Sequence, residues 1–203
     1  MSMCYIVGAG EFYGSLCPDA GDLVIAADGG YDTLLSLGIR CDMVIGDMDS
    51  ARSIPRGVET ITVPVEKDET DTYLCYLEGV KRGYTEFQVY GGVGGREDHT
   101  FANYSLLLHG IKRGHRISLI GKSHRIFAMR NESITLRGEV GRGFSVFAFG
   151  GCAGGVSVTG GKYSAEGLNI QPDFPIGVSN EFAGEEISIT VECGELLVMI
   201  EAR

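Results

Sequence analysis

The chain has no tryptophan, only five prolines, and six cysteines without a single Cys-x-x-Cys pair. Cysteines at 4, 17, 41, 75, 152 and 193 supply neither zinc-finger spacing nor a compact disulfide framework. Basic residues are also scarce: 17 Lys and Arg stand against 27 Asp and Glu, a net charge of −10. A duplex nucleic-acid binder needs the opposite sign, because phosphates demand cations, so no nucleic-acid partner is expected. No apolar run approaches the ~20 residues that span a bilayer, and the opening MSMCYIVGAG lacks the basic and apolar regions of a secretory signal. These absences predict a soluble, reduced, cytoplasmic protein with no membrane partner. Gly-x-Ser-x-Gly and Ser/His/Asp patterns are missing too. His109, His115 and His124 fall in or beside predicted elements with no ligand set around them.

Glycine is what the chain has in excess, 31 of 203 residues, about twice the usual ~7%. Without a matching excess of proline this points to tight turns and close backbone approaches. A hydrophobic share of 44% and a mean hydropathy of +0.09 are ordinary for a globular protein. The length suits one large domain or two small ones. The acid excess is local: residues 1–71 carry 13 Asp and Glu against 4 Lys and Arg. Such an excess suits divalent cations, or is a solvated face.

The two halves follow different patterns. Up to about residue 120, short apolar runs at Tyr5–Val7, Leu23–Ala27, Met43–Ile45, Thr60–Val63, Phe87–Tyr90 and Ile117–Ile120 read as buried strands. Tyr73, Leu77 and Val80, and then Phe101, Tyr104, Leu108 and Ile111, recur near the helical period. Strand–helix alternation predicts an α/β domain with a mostly parallel sheet. From about 125 the period falls to two, with strands at 125–130, 133–137, 144–149, 156–159, 186–191 and 196–201 and a tight turn at Asn131-Glu132. That half reads as an all-β sandwich. The seam falls within Gly121–His124, giving domains 1–122 and 123–203.

In a parallel sheet, ligands bind outside the carboxyl ends of the strands, and aspartates gather there. Asp28-Gly29-Gly30, Gly46-Asp47-Met48-Asp49-Ser50, Lys67-Asp68-Glu69-Thr70-Asp71 and Gly91 through His99 each follow a predicted strand. Asp47 and Asp49, two apart in an extended segment, point the same way and repel unless a cation lies between them. Mg²⁺, a hard cation that takes carboxylates and substrate phosphates, fits; an Asp-rich turn is the plainer reading. Asp68 reads best as a helix N-cap and Asp71 as a third metal ligand, although the helix dipole alone favours an acid there. Gly91–Gly95 with Arg96, ahead of a helix starting near Asp98, suits an anion cradle. Gly8-Ala9-Gly10, with Asp28 at the end of the next strand, is a loose echo of a dinucleotide fingerprint.

Ala27-Asp28-Gly29-Gly30, Gly46–Ser50, Lys67–Asp71, Gly91–Asn103, Thr159-Gly160-Gly161-Lys162-Tyr163 and Ser179-Asn180, in this order, resemble the bacterial thiamine pyrophosphokinase family. The resemblance implies an α/β nucleotide domain followed by a thiamine-binding β-sandwich, in a homodimer with shared active sites. It implies Mg²⁺-dependent transfer of a pyrophosphoryl group from ATP to the hydroxyl of thiamine, giving thiamine diphosphate and AMP. By the same resemblance Asp47, Asp49 and Asp71 would hold the metal, and Asp98, Arg96 and Asp71 would serve catalysis. Asp28, Ser50, Lys67, Asp68, Thr70, Arg96, His99 and Asn103 would line the nucleotide side. Tyr163, Ser179 and Asn180 would lie at the thiamine end, with Tyr163 as the stacking ring in a chain that lacks tryptophan. Asp98 would accept the proton of the thiamine hydroxyl or orient it. Two other readings fit the acid-lined edge: a metal-dependent phosphoesterase, and a nucleotide- or cofactor-sensing module without turnover.

Overall fold

The computed structural model describes residues 2–47, 57–64, 66 and 68–202. The chain divides into two compact units, Met1–Lys122 and Ser123–Arg203.

The first unit is α/β. Its strands are β1 (Cys4–Val7), β2 (Leu23–Ala27), β3 (Met43–Gly46), β4 (Glu59–Thr62), β5 (Glu86–Tyr90) and β6 (Arg116–Ile120). All pair in parallel, in the order β4-β3-β2-β1-β5-β6. Every residue of β2 and β3 is buried, as expected where both faces of a parallel sheet are covered. The edge strand β4 reads Glu-Thr-Ile-Thr and is largely exposed, polar chemistry that discourages edge-to-edge pairing. Among the described residues three helices connect the strands: α1 (Gly30–Ser36), α2 (Asp71–Lys81) and α3 (Glu97–Ile111). A Cβ on Gly30 would lie 1.8 Å from the carbonyl oxygen of Val7, so α1 starts with its backbone directly against β1.

The second unit is an antiparallel sandwich. One sheet runs β12-β9-β14-β7, from β7 (His124–Arg130), β9 (Gly143–Ala148), β12 (Asn180–Glu181) and β14 (Glu195–Glu201). The other runs β11-β10-β13-β8, from β8 (Ser133–Arg137), β10 (Ala153–Thr159), β11 (Ala165–Ile170) and β13 (Glu186–Thr190). Its core includes Met129, Val156, Ile189 and Val198, with Phe144 and Phe182 edge to face at 5.6 Å.

Strands expected from periodicity are present to within a few residues. The turn at Asn131 is real, with φ +48°. It is not a hairpin, because β7 pairs with β14 while β8 pairs with β13. The turn carries the chain from one sheet to the other. Asn131 Oδ1 accepts from the N–H of Gly194, in the β13–β14 connection that makes the reverse crossing. The edge strand β11 was not anticipated: Ala-Glu-Gly-Leu-Asn-Ile has no alternation, and Gly167 interrupts it at φ +61°.

Phe182 is buried, and its ring fills the space beside Phe144. Phe182→Ala is expected to cost about 3–5 kcal/mol, read as an earlier midpoint in urea unfolding of the second unit.

Candidate active site

The order β4-β3-β2-β1-β5-β6 reverses direction at β1, since the chain builds outward through β2, β3 and β4 and then returns to place β5 on the other side. Such a switch point leaves a crevice beyond the strand ends. Here it is a hollow of about 380 Å³ lined by residues that follow β1, β2 and β5 and by the first turns of α2 and α3.

Glycines make the crevice. Gly8 N–H donates to the carbonyl of Tyr90 at 2.8 Å and Gly10 N–H to that of Gly91 at 3.2 Å. A Cβ on Gly10 would meet the Gly91 oxygen at 2.5 Å, and one on Gly91, which adopts φ +64°, would meet the Gly8 oxygen at 2.6 Å. The turns after β1 and β5 therefore touch backbone to backbone, as only glycine allows. Buried Asn103 fixes the next residue, donating from Nδ2 to the carbonyl of Gly92 at 2.7 Å. Gly8-Ala9-Gly10 opens no helix: the connection to β2 is irregular. A helix N-terminus reaches the hollow instead from α3, after the glycine loop, where backbone N–H groups favour an anion.

Arg96 is the cation at that terminus. Its Nη2 lies 2.6 Å from Asp98 Oδ2 and its Nε donates to Oδ1 at 3.2 Å. Asp98 Oδ1 also accepts from the N–H of His99 at 2.9 Å. The Arg96 guanidinium, and then that N–H, hold the Asp98 carboxyl at about 2, below its ordinary 3.8. Asp98 is thus an anion at any working pH, a feeble base and a good hydrogen-bond acceptor. Arg96 keeps Nη1 and one Nη2 hydrogen for another anion.

The structure brings Asp28, Thr70, Asp71, Arg96, His99 and Asn103 to this one hollow. Thr70, not Asp68, caps α2: its Oγ1 accepts from the N–H of Tyr73 at 3.2 Å. The cap sits one residue before the helix, leaving Asp68 exposed in the preceding loop. Asp71 takes the first helical position, where the dipole favours it. Asp47 follows β3 and is half-buried, while Asp49, Ser50 and Lys67 lie outside the described residues. Among the described residues no three His, Cys, Asp or Glu side chains are gathered closely enough to hold a metal ion. Thr72, Val93 and Thr100 also line the hollow. No motif marked them, and only their places beside α2 and α3 bring them there.

In the second unit, Ser179 and Asn180 border a smaller hollow of about 180 Å³ with His124, Phe144 and Glu201. Asn180 is spent on architecture: Oδ1 accepts from the N–H of Tyr163 at 3.0 Å and of Glu181 at 2.9 Å, and Nδ2 donates to the Tyr163 carbonyl at 2.7 Å. It clamps the Tyr163 backbone, while Tyr163 as a whole is 61% exposed, with Lys162 Nζ 5.7 Å from the ring centre. Gly161 packs so closely that a Cβ would lie 3.0 Å from the Asn180 amide.

Residues 17–119 match the family described as thiamin pyrophosphokinase, catalytic domain. Residues 124–197 match thiamin pyrophosphokinase, vitamin B1 binding domain. The thiamine pyrophosphokinase of Bacillus subtilis (strain 168) is 29% identical over 191 residues, which span 91% of this chain and 89% of that protein. A crystal structure of thiamine pyrophosphokinase from Bacillus subtilis superposes with a TM-score of 0.88 at 26% identity, covering 98% of this chain and 99% of the other. Thiamin pyrophosphokinase from Candida albicans shares the fold at 14% identity, with a TM-score of 0.78 over 100% of this chain and 89% of that one.

Two outcomes follow from the loop geometry. Asn103→Leu, which leaves the buried Gly92 carbonyl without its donor, is expected to cost about 1–3 kcal/mol in urea unfolding. Asp98 has a depressed pKa, so its pairing is present above the unfolded carboxylate range and is lost as pH falls through about 2. In Arg96→Ala the carboxyl should titrate upward towards 3.8, followed by ¹³C NMR of the Asp98 side chain.

Proposed function

Because the chain belongs to the thiamin pyrophosphokinase family, matched over 17–119 and again over 124–197, we infer that it transfers the pyrophosphoryl group of ATP to the hydroxyl of thiamine. The products are thiamine diphosphate and AMP. The observation that carries this reading is the succession of a catalytic and a vitamin B1 binding match along one chain, the first spanning the glycine hollow at the switch point. A phosphoesterase and a silent sensing module find no support in these matches.

The α/β unit, residues 1–122, binds nucleotide and metal, and the sandwich, residues 123–203, binds thiamine and contributes to a homodimer with shared active sites. Asp47, Asp49 and Asp71 would hold Mg²⁺, since hard carboxylate oxygens are the donors this cation takes. When bound, the cation neutralises charge on the transferring phosphates. Ser50, Lys67, Asp68, Thr70, His99 and Asn103 line or support the nucleotide side.

The hydroxyl oxygen of thiamine forms a bond to the β-phosphorus while the bond from that phosphorus to the α–β bridging oxygen breaks; AMP leaves with that oxygen and its electron pair, and the hydroxyl proton passes to the departing phosphate oxygen or to water. Little covalent work falls to the protein, so catalysis is positioning and charge stabilisation. Arg96 uses its remaining donors on the phosphates, and the N–H groups opening α3 add to them. Asp98, held ionised, accepts a hydrogen bond from the thiamine hydroxyl and aims it. Its low pKa favours this over proton abstraction. Tyr163 offers an exposed ring to the cationic thiazolium, an attraction of ~0.5–2 kcal/mol, with Ser179 and Asn180 shaping its surroundings. No described helix is long and apolar enough to cross a membrane; a cytoplasmic setting is part of this reading.

AMP released from Mg²⁺-ATP should depend on thiamine and fall by ~10²-fold or more in Asp49→Ala. Phosphate appearing without thiamine would reject the transferase reading. In the same assay kcat should show no acid limb attributable to Asp98 above pH ~4, and a limb near pH 6 that vanishes in Asp98→Asn would restore it as the base.

A further inference from the structure

Asp28 ends β2 in a costly state. Its φ is +47°, a left-handed conformation that costs a non-glycine residue roughly 1–2 kcal/mol. It is only 9% exposed, and Oδ1 is buried with no hydrogen-bond partner among the described residues. Its backbone is satisfied: the N–H donates to the Ile45 carbonyl at 2.9 Å, and its own carbonyl accepts from Tyr31 at 3.2 Å. If only the backbone bend were needed, glycine would supply it without strain, and two glycines follow immediately. Strain and an unmet acceptor at one residue mark a group kept for its carboxylate.

Asp28 lines the large hollow on the β2 side of the Gly8–Gly10 turn. The floor there is buried: Asp28, Gly92, Val93 and Asn103. Arg96 and His99 on the rim are exposed. Phosphates that must meet a second substrate belong at that open rim, with Arg96 and the start of α3. The nucleoside goes deepest. A buried acceptor next to a Gly-x-Gly turn, about 20 residues on at the end of the neighbouring strand, has the geometry that takes a ribose hydroxyl in dinucleotide folds. Bare Mg²⁺ suits the position poorly, since that cation keeps several waters and this oxygen is buried.

We propose that the Asp28 carboxylate accepts a hydrogen bond from a ribose hydroxyl of the nucleotide and makes the hollow selective for ribonucleotides. The inference rests on the nucleotide reading of the hollow. Asp28 is a specificity residue, separate from the groups at the transferring phosphates.

The test is calorimetric titration of ATP, 2′-deoxy-ATP and 3′-deoxy-ATP with Mg²⁺, on wild type and on Asp28→Gly, which keeps the left-handed backbone. Wild type should bind ATP ~10–100-fold more tightly than at least one deoxy analogue, as for a hydrogen bond to a charged acceptor. Asp28→Gly should bind all three at the weaker level, with an unliganded Tm unchanged or raised. Equal binding by wild type, a preference that survives in Asp28→Gly, or a lowered Tm with selectivity intact would overturn the proposal. So would a loss in Asp28→Gly that appears equally in Mn²⁺ binding without nucleotide, which would make Asp28 a metal ligand, or selectivity against inosine triphosphate alone, which would assign it to the base. Sugar-selective binding without thiamine-dependent AMP would leave this inference standing and reject the transferase reading.

Discussion

The contact between two backbones, Gly8–Gly10 after β1 and Gly91 after β5, is the constraint on which the candidate site depends. The sheet reverses its order of building between these strands, and the strand ends there would normally be held apart by side chains. Glycine at both turns lets carbonyl and N–H groups of one meet those of the other. The loop after β5 thereby leaves the sheet in a defined direction, Asn103 secures its next carbonyl, and α3 begins where its first N–H groups face the hollow. A side chain at Gly10 or Gly91 would push the turns apart and move Arg96 with them. The placing of Arg96 is therefore a consequence of backbone packing between the turns after two neighbouring strands, β1 and β5.

Most of this architecture was legible in the sequence because burial writes a simple signal. The fully apolar runs of β2 and β3, the alternation of β8 and the glycine loop after β5 each follow from one local requirement. What stayed hidden depends on partners distant in the chain. The cap of α2 is Thr70 and not Asp68 because the helix starts at Asp71, and both residue types cap well. The Asn131 turn looks like a hairpin locally, and only the pairing of β7 with β14 and of β8 with β13 makes it a corner between sheets. The meaning of Gly8 and Gly10 was likewise out of reach, since their partner Gly91 lies more than 80 residues away in a loop that carries its own glycines. Thiamine-side roles at Ser179, Asn180 and Tyr163 came from resemblance alone; the structure adds that Asn180 acts on the Tyr163 backbone.

Arg96 and Asp98 show how two charged site residues can share one position without cancelling. Both are exposed, so their ion pair adds little to stability. Its effect is on state and direction. Asp98 is kept ionised, and the guanidinium plane is fixed by two of its N–H groups so that the others point in a set direction. Two residues apart at the start of α3, they form a preorganised donor–acceptor pair; in the proposed reaction the arginine would meet negative oxygens and the aspartate a hydroxyl. Positioning chemistry needs that arrangement. A strong base, which would require a raised pKa, is what it lacks.

The strained residues differ in how their polar groups are met. Among the described residues, three that are not glycine adopt positive φ: Asp28, Asn131 and Ser179. At Asn131 the side chain accepts from Gly194 N–H and joins the two crossings of the sandwich, so the strain is offset within the fold. At Ser179 the N–H donates to Ser145 Oγ, tying the segment before β12 to β9. Asp28 has its backbone bonds, but its buried Oδ1 has no hydrogen-bond partner among the described residues. A conformation costing about as much as one good hydrogen bond, combined with a buried acceptor left unmet, takes a sizeable part of a native stability of only 5–15 kcal/mol. Folding alone would favour glycine at this position. Under the proposed nucleotide reading, an aspartate there is accounted for by a donor that arrives with the ligand, and the hollow's charge matches: an acceptor in the buried floor for the sugar, and a cation and helix N–H groups at the exposed rim for the phosphates.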